Sequence, residues 1–330
     1  GQIDVVSADF WTGRFLSASA FETAKKLCVN TLDIFGFSGA DTTNACYGGT
    51  NAFLSSARWI GDGRTYAVVV CADPAVHPDP ARLSEVGAAG CAVLASARAA
   101  LPLEAPRATF VKHAWDFYRP VGWRTNDAIF HVAAATAQYD EALLWCARSL
   151  RLGDAPERFA FHNNAPYHAK RNLRVLRDDV AGRTLPRADH DAAFLERAAA
   201  GLGVAAENGT TYTCPLYASL LSFALGGDAG GRLRCMAYGS GCAATLFSLG
   251  DARRPLVDGA AVATLRRRVA KPVEAVLAAV EAFEATHGRF GFEAGTWGGG
   301  ARDGVYRLAS VAATGVRTYA RAAAAARPVA

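Results

Sequence analysis

The stretch Tyr66-Ala67-Val68-Val69-Val70-Cys71-Ala72 carries no charged side chain and is rich in β-branched valine. It is too short for a buried helix. A strand that is apolar on both sides has to be covered on both sides, which is the position of an inner strand in a sheet with helices on each face. Gly90-Cys91-Ala92-Val93-Leu94-Ala95 reads as a second strand of this kind, and Arg107 to Lys112 as a weaker third. Around them the pattern alternates. Ile3 to Ala8 reads as a strand, a helix follows around Ala20 to Leu32, and a short strand leads toward Cys46. An amphipathic helix runs after Asn126 through Leu150, and a strand at Phe159-Ala160-Phe161 leads into His162. Leu195 to Leu202 and Thr213 to Leu225 read as helices, and Leu233 to Tyr238 as a strand ending in a glycine turn. A long helix from Val262 to Thr286 is interrupted near Pro272. Strands alternating with helices in this way argue for a layered α/β fold.

Composition narrows the class further. A chain of 330 residues, 51% apolar, can bury a large core as one big domain or two fused halves. No stretch of eighteen or more apolar residues occurs, so a membrane-spanning helix is not expected. The formal charge is +5, with basic residues scattered apart from Arg266-Arg267-Arg268. That suits an anionic small molecule and gives little support to a nucleic-acid partner. Eight cysteines, at 28, 46, 71, 91, 146, 214, 235 and 242, form no Cys-x-x-Cys pair and have no histidine at metal-ligand spacing. Neither a metal site nor a disulfide framework is expected, and a reducing compartment follows: the cytoplasm, or an organelle if an upstream segment has been removed. The alanine-rich C-terminal tail is expected to fray.

Cys46 stands apart from the other cysteines. It lies in Asp41-Thr42-Thr43-Asn44-Ala45-Cys46-Tyr47-Gly48-Gly49-Thr50, just ahead of a segment, Asn51 to Ile60, with apolar residues at helical spacing. At a helix start the unpaired amides and the positive end of the dipole favour a thiolate. The small residues Gly48 and Gly49 let an acyl group come close. A buried structural cysteine is the alternative reading of the same residues.

This decapeptide resembles the hydroxymethylglutaryl-CoA synthase family of the thiolase superfamily, and further likenesses follow in the family's order. They are His113-Ala114-Trp115-Asp116-Phe117-Tyr118-Arg119-Pro120; Phe161-His162 with Pro166-Tyr167 and Lys170-Arg171-Asn172-Leu173; Tyr212-Thr213 with Tyr217; Ala237 to Leu249; and Val316 to Arg321. The resemblance implies a thiolase fold of two similar halves, here N-terminally shortened because the family begins with a further strand and helix set. The halves would be 1–125, holding the nucleophile, and 126–330, holding the histidine and the glycine turn. It implies an acyltransferase that condenses acetyl-CoA with acetoacetyl-CoA through an acetyl-Cys46 intermediate, with no cofactor beyond these substrates. It also implies a homodimer and a place in mevalonate and isoprenoid biosynthesis.

Roles carry over residue by residue. His162 corresponds to the family histidine that positions acetoacetyl-CoA and polarises its carbonyl, and Ser240 to a serine near the reacting acyl group. The Gly239-Ser240-Gly241 turn also reads as a tight strand-to-helix turn whose amides can serve an oxyanion. Tyr118 is expected to line the pocket or to serve aromatic packing, and Lys170 and Arg171 to meet phosphate or pantetheine groups or to form a solvated helix face. His113 reads as a packing residue or as one that supports the site residues from behind, and His168 as a surface one. Two departures stand out. The family's general acid/base glutamate, upstream of the nucleophile at a strand end, has no counterpart, and the nearest carboxylate is Asp9, with Glu22 further on. Where the family carries asparagine the chain has Thr210, with Asn208 two residues earlier. These departures leave two alternatives to the synthase: a catalytically impaired thiolase-like subunit, or a related ketoacyl or polyketide-branching synthase acting on carrier-protein thioesters.

Overall fold

A computed structural model describes residues 3–8, 39–61, 66–75, 85–118, 129–163, 165–226, 230–252, 271–286, 291–293, 306–314 and 317–321. The expected helix around 20–32, Asp9, Glu22, the Arg266-Arg267-Arg268 cluster and the alanine-rich tail lie outside these residues.

The first sheet has the order β2-β1-β3-β4, with β1 (Ile3–Ala8), β2 (Gly39–Thr42), β3 (Tyr66–Pro74) and β4 (Ala88–Ser96). β1 pairs in parallel with both β2 and β3, and β4 closes the order antiparallel to β3. The valine run therefore forms an inner strand, with Ala67, Val69 and Cys71 fully buried. β4 departs from the expectation of a strand covered on both sides. Its residues alternate between half-buried and exposed, with Leu94 63% exposed. Its small residues look apolar in sequence, but at an antiparallel edge only one side chain in two is required to face the core.

α1 (Gly48–Gly61) follows the Cys46 turn. The second sheet has the order β5-β10-β9-β8. Its first strand, β5 (Ala108–Val111), is followed by the short antiparallel pair β6 (Phe117–Tyr118) and β7 (Ile129–Phe130). Then come α2 (Val132–Ser149) and β8 (Arg158–Phe161). α3 (Pro166–Ala181) begins with proline at its first turn, where the missing N–H costs nothing. It ends at Gly182, whose φ of 64° lets its N–H reach back to the carbonyls of Asp178 and Asp179. α4 (Arg187–Arg197) leads through a 3₁₀ turn, Ala199–Leu202, to α5 (Gly203–Asn208), so the helix expected at 195–202 is a helix end and a tighter turn. α6 (Pro215–Leu225) starts two residues later than its pattern suggests, again on a proline.

β9 (Leu233–Gly239) and β10 (Ala243–Leu249) are buried at every position and form an antiparallel hairpin. The glycine turn therefore joins strand to strand, not strand to helix. The apolar run after it is a central strand paired with β5 on its other side. The chain closes with α7 (Val273–Thr286), which begins directly after Pro272, and the small sheet β11 (Phe292–Glu293), β12 (Tyr306–Val311) and β13 (Arg317–Arg321).

The layers follow from which residues share a core. α2 and α3 cover one face of the second sheet, packing Leu143, Cys146, Leu173 and Leu176 against Phe159, Phe161, Met236 and Leu246. Tyr47, Leu216 and Phe223 cover the other face against Ala160, Cys235, Ala237 and Phe247. α1 and α6 also meet the first sheet, through Ala52, Cys214 and Tyr217 against Val69 and Cys71. They are thus a middle layer between two sheets, and the nucleophile turn at the head of α1 lies inside the molecule.

Candidate active site

The turn that carries Cys46 is tight. Tyr47 N–H donates to Asn44 O at 3.1 Å, Gly48 N–H to Ala45 O at 3.0 Å, and Ala45 takes a φ of 44°. α1 opens two residues beyond Cys46, as expected, and the Thr42 hydroxyl donates to Gly48 O at 3.0 Å. Glycine at 49 lets the helix head close in. A Cβ there would lie 2.8 Å from Cys71 Sγ and 3.1 Å from Thr213 O.

The same turn touches the end of β9. A Cβ on Gly239 would stand 2.5 Å from the Tyr47 amide nitrogen and 2.9 Å from Asn44 O, so Ser240 follows a residue in backbone contact with the nucleophile turn. β8 is the parallel neighbour of β9, with Phe161 opposite Met236, and the His162 N–H continues the ladder to Met236 O at 2.8 Å. Ala160 shares its core with Tyr47. The pleat, with a period of two, carries His162 to that same side. From its register position the His162 backbone lies roughly 8–10 Å from Gly239. Parallel strand ends thus gather the 46, 162 and 240 segments at one place, as ligand sites in α/β sheets do.

The electrostatics of Cys46 differ from the expectation. Its side chain is 8% exposed, and burial drives its thiol well above the usual range, with the negative fields of Asp73 and Asp116 adding to the rise. The helix head does not outweigh them, so the resting group is a neutral thiol. Asp73, the last residue but one of β3, accepts the Thr213 N–H at 3.1 Å and the Thr213 hydroxyl. Asp116 accepts the Tyr238 hydroxyl at 2.8 Å and the Gly241 N–H at 3.0 Å. Sequence reasoning singled out neither carboxylate. The available signal was an aspartate ending the most apolar strand and a second one inside the His113 to Pro120 match. Two amides of the glycine turn are engaged, Gly241 with Asp116 and Cys242 with Lys112 O, so they are not free oxyanion donors.

His162 is buried, and burial, helped by the charge of His168, holds its imidazole down to about 4. It is neutral at physiological pH and suited to donate or accept one hydrogen bond, while Tyr139 OH donates to its backbone carbonyl at 3.1 Å. A stability consequence follows. Between its ordinary 6.5 and about 4, the unfolded chain binds a proton that the folded one refuses. Stability present above pH 6.5 therefore drains away as pH falls toward 4, by about 3 kcal/mol from this group alone. Urea unfolding of wild type and His162→Gln at pH 7 and pH 4.5 checks it: the wild-type midpoint should fall the more steeply of the two.

The remaining expected site residues fare unevenly. Tyr118 is half-buried, its ring edge-on to Trp115 at 4.9 Å. Lys170 is paired with Asp191 at 2.7 Å, and Arg171 makes a two-pronged contact with Asp140, at 2.6 Å through Nη1. Each cation is engaged by a carboxylate on another helix, Lys170 at the surface and Arg171 half-buried. Asn208 and Thr210 run along the segment before β4: Thr210 N–H donates to Glu85 O and Gly87 N–H to Thr210 O, each at 2.9 Å. Ala75 N–H donates to Gly87 O at 2.9 Å, which joins the same segment to the end of β3. His113 is exposed rather than packed inside, and His168 is half-buried rather than on the surface. Among the described residues no cluster of histidine, cysteine and carboxylate is arranged to hold a metal ion, and no helix is long and apolar enough to cross a membrane.

Comparison with known proteins decides the family. The model of the hydroxymethylglutaryl-coenzyme A synthase N-terminal region matches residues 23–100, and that of its C-terminal region matches residues 179–322. The chain belongs to the hydroxymethylglutaryl-CoA synthase family. It is 30% identical over 266 residues to the mitochondrial synthase of Mus musculus, covering 64% of this chain and 52% of that one. It is 28% identical over 305 residues to the synthase of Saccharomyces cerevisiae, covering 76% and 62%. The chain therefore spans little more than half the length of these curated relatives. Among solved structures, MvaS in complex with 3-hydroxy-3-methylglutaryl coenzyme A superposes with a TM-score of 0.78 at 25% identity, over 97% of this chain and 82% of that one. PksG from Bacillus subtilis superposes with a TM-score of 0.83 at 17% identity, over 97% and 83%, which speaks for the shared fold. The layered α/β architecture is thus the thiolase-like fold of hydroxymethylglutaryl-CoA synthases.

Proposed function

We propose that the chain is an acyltransferase that condenses acetyl-CoA with acetoacetyl-CoA. The observation that carries the reading is the backbone contact between the Cys46 turn and Gly239, beside the β8 end that bears His162. Cys46 sulfur attacks the acetyl carbonyl, CoA leaves as its thiol, and the acetyl group rests on the enzyme as a thioester. The acetyl methyl then gives up a proton and adds to the ketone of acetoacetyl-CoA. Water cleaves the remaining link to Cys46, freeing the thiol and hydroxymethylglutaryl-CoA.

The surroundings shape each step. Because burial and two carboxylates oppose a standing thiolate, the sulfur loses its proton as it attacks, not beforehand. Neutral His162 donates one hydrogen bond to the ketone oxygen where charge grows, and Ser240 lies by the acyl group. In this reading Asp73 and Asp116, both held by donors on other segments, are the carboxylates that the structure sets in electrostatic reach of the sulfur. In this reading Tyr118, Asn208 and Thr210 contribute to substrate binding. Lys170 and Arg171 reach substrate phosphate only by giving up Asp191 and Asp140.

The test is turnover. Purified protein given both CoA substrates should form hydroxymethylglutaryl-CoA, and acetyl groups on a carrier protein should not replace acetyl-CoA. No condensation from acetyl-CoA, whether or not the carrier donor works, would reject the reading.

A further inference from the structure

Three thiols unconnected with the acyl chemistry meet where β3, β4 and the head of α6 come together. Cys71 and Cys91 face each other across the antiparallel β3–β4 ladder. Cys91 Sγ lies 4.0 Å from Cys214 Sγ, and Cys214 Sγ lies 3.5 Å from Cys71 O and 3.6 Å from Ala89 O. Cys71 and Cys214 are buried, while Cys91, on the β4 edge, is half-exposed. Cys214 directly follows Thr213, whose N–H and hydroxyl hold Asp73, a carboxylate whose field reaches the Cys46 sulfur.

We propose that Cys91 and Cys214 are a redox pair whose oxidation ties the β4 edge to the segment that positions Asp73. The oxidant is hydrogen peroxide. Cys91, the more accessible thiol, attacks one peroxide oxygen, the O–O bond breaks, and the departing hydroxide takes the thiol proton, giving a sulfenic acid and water. Cys214 sulfur then attacks the Cys91 sulfur, hydroxide leaves and takes the thiol proton, and a second water forms. Overall two thiols lose two electrons and two protons, and one hydrogen peroxide is reduced. The sulfurs have to close from 4.0 Å to about 2 Å, which draws the Thr213–Cys214 segment toward β4. Thr213 moves with it, and the bond geometry on Asp73 changes. Cys71 is the competing partner, but it is fully buried, and its sulfur lies where the head of α1 passes closely enough that only glycine fits at position 49.

The test uses the whole chain with Cys46→Ala, which removes the site thiol from competition. After hydrogen peroxide, non-reducing peptide mapping should show a Cys91–Cys214 cross-link that dithiothreitol reverses and Cys91→Ser abolishes. A Cys71–Cys91 link, or oxidation of Cys91 to sulfinic acid with no cross-link, overturns the proposal. The regulatory consequence rests on the acyl-transfer reading and is measured separately. In protein with Cys46 intact, peroxide should slow acetyl transfer at least about tenfold, from loss of about 1 Å of positioning. Dithiothreitol should restore it, and Cys91→Ser should be spared. Because the cross-link is read by mass, it stands or falls without any turnover.

Discussion

Gly239→Ala is expected to destabilise the protein by about 3 kcal/mol and to cost at least about a hundredfold in acyl transfer. The added methyl would lie 2.5 Å from the Tyr47 nitrogen, 2.7 Å from Tyr47 Cβ and 2.9 Å from Asn44 O. Two of these neighbours are backbone atoms and the third is a Cβ fixed to the backbone, so no rotamer change relieves the clash. Either β9 withdraws from the turn or the turn moves, and Cys46 moves with it. Gly153→Ala is the control, since a Cβ there meets nothing within 4 Å. Thermal unfolding should show a midpoint lower by about 5 °C or more for Gly239→Ala and near wild type for Gly153→Ala. Equal midpoints and equal rates for the two variants would mean that the turn and β9 are not in the described contact.

The second large effect falls on the nucleophile. Cys46→Ser should lower condensation by about 10⁴-fold or more, because a serine hydroxyl without a strong base beside it is a far weaker nucleophile than sulfur. Stability should hardly change, since serine is smaller than cysteine and the site already contains hydrogen-bonding groups. Steady-state rates and urea midpoints on the same preparation separate loss of chemistry from loss of fold.

The two effects show how far residues alone could lead. The inner strand β3 and the strand entering His162 were legible because continuous apolar runs have few other uses in a layered fold. The position of Cys46 just ahead of a helix was legible for a similar reason, as the glycines and the helical spacing after it leave one arrangement. β4 was misjudged because alanine and glycine look apolar whether covered or not. The hairpin at Gly239 to Ala243 was misjudged because a glycine turn leads as readily to a helix as to a strand, and pairing with β5 settled it. The acidity of Cys46 was not legible at all. A helix start favours thiolate, but Asp73 is 27 residues away in sequence and Asp116 is further still, and only the folded chain brings their fields and the burial onto the sulfur. The ion pairs of Lys170 and Arg171 were not legible for the same reason, since their carboxylate partners lie on other helices.

Acetyl occupancy tests the central claim most directly. Protein incubated with acetyl-CoA alone, quenched in acid and digested, should carry one acetyl group on the peptide that contains Cys46, and addition of acetoacetyl-CoA before the quench should remove it. Acetyl found on another residue, or product formed while Cys46 never carries the group, would contradict the account.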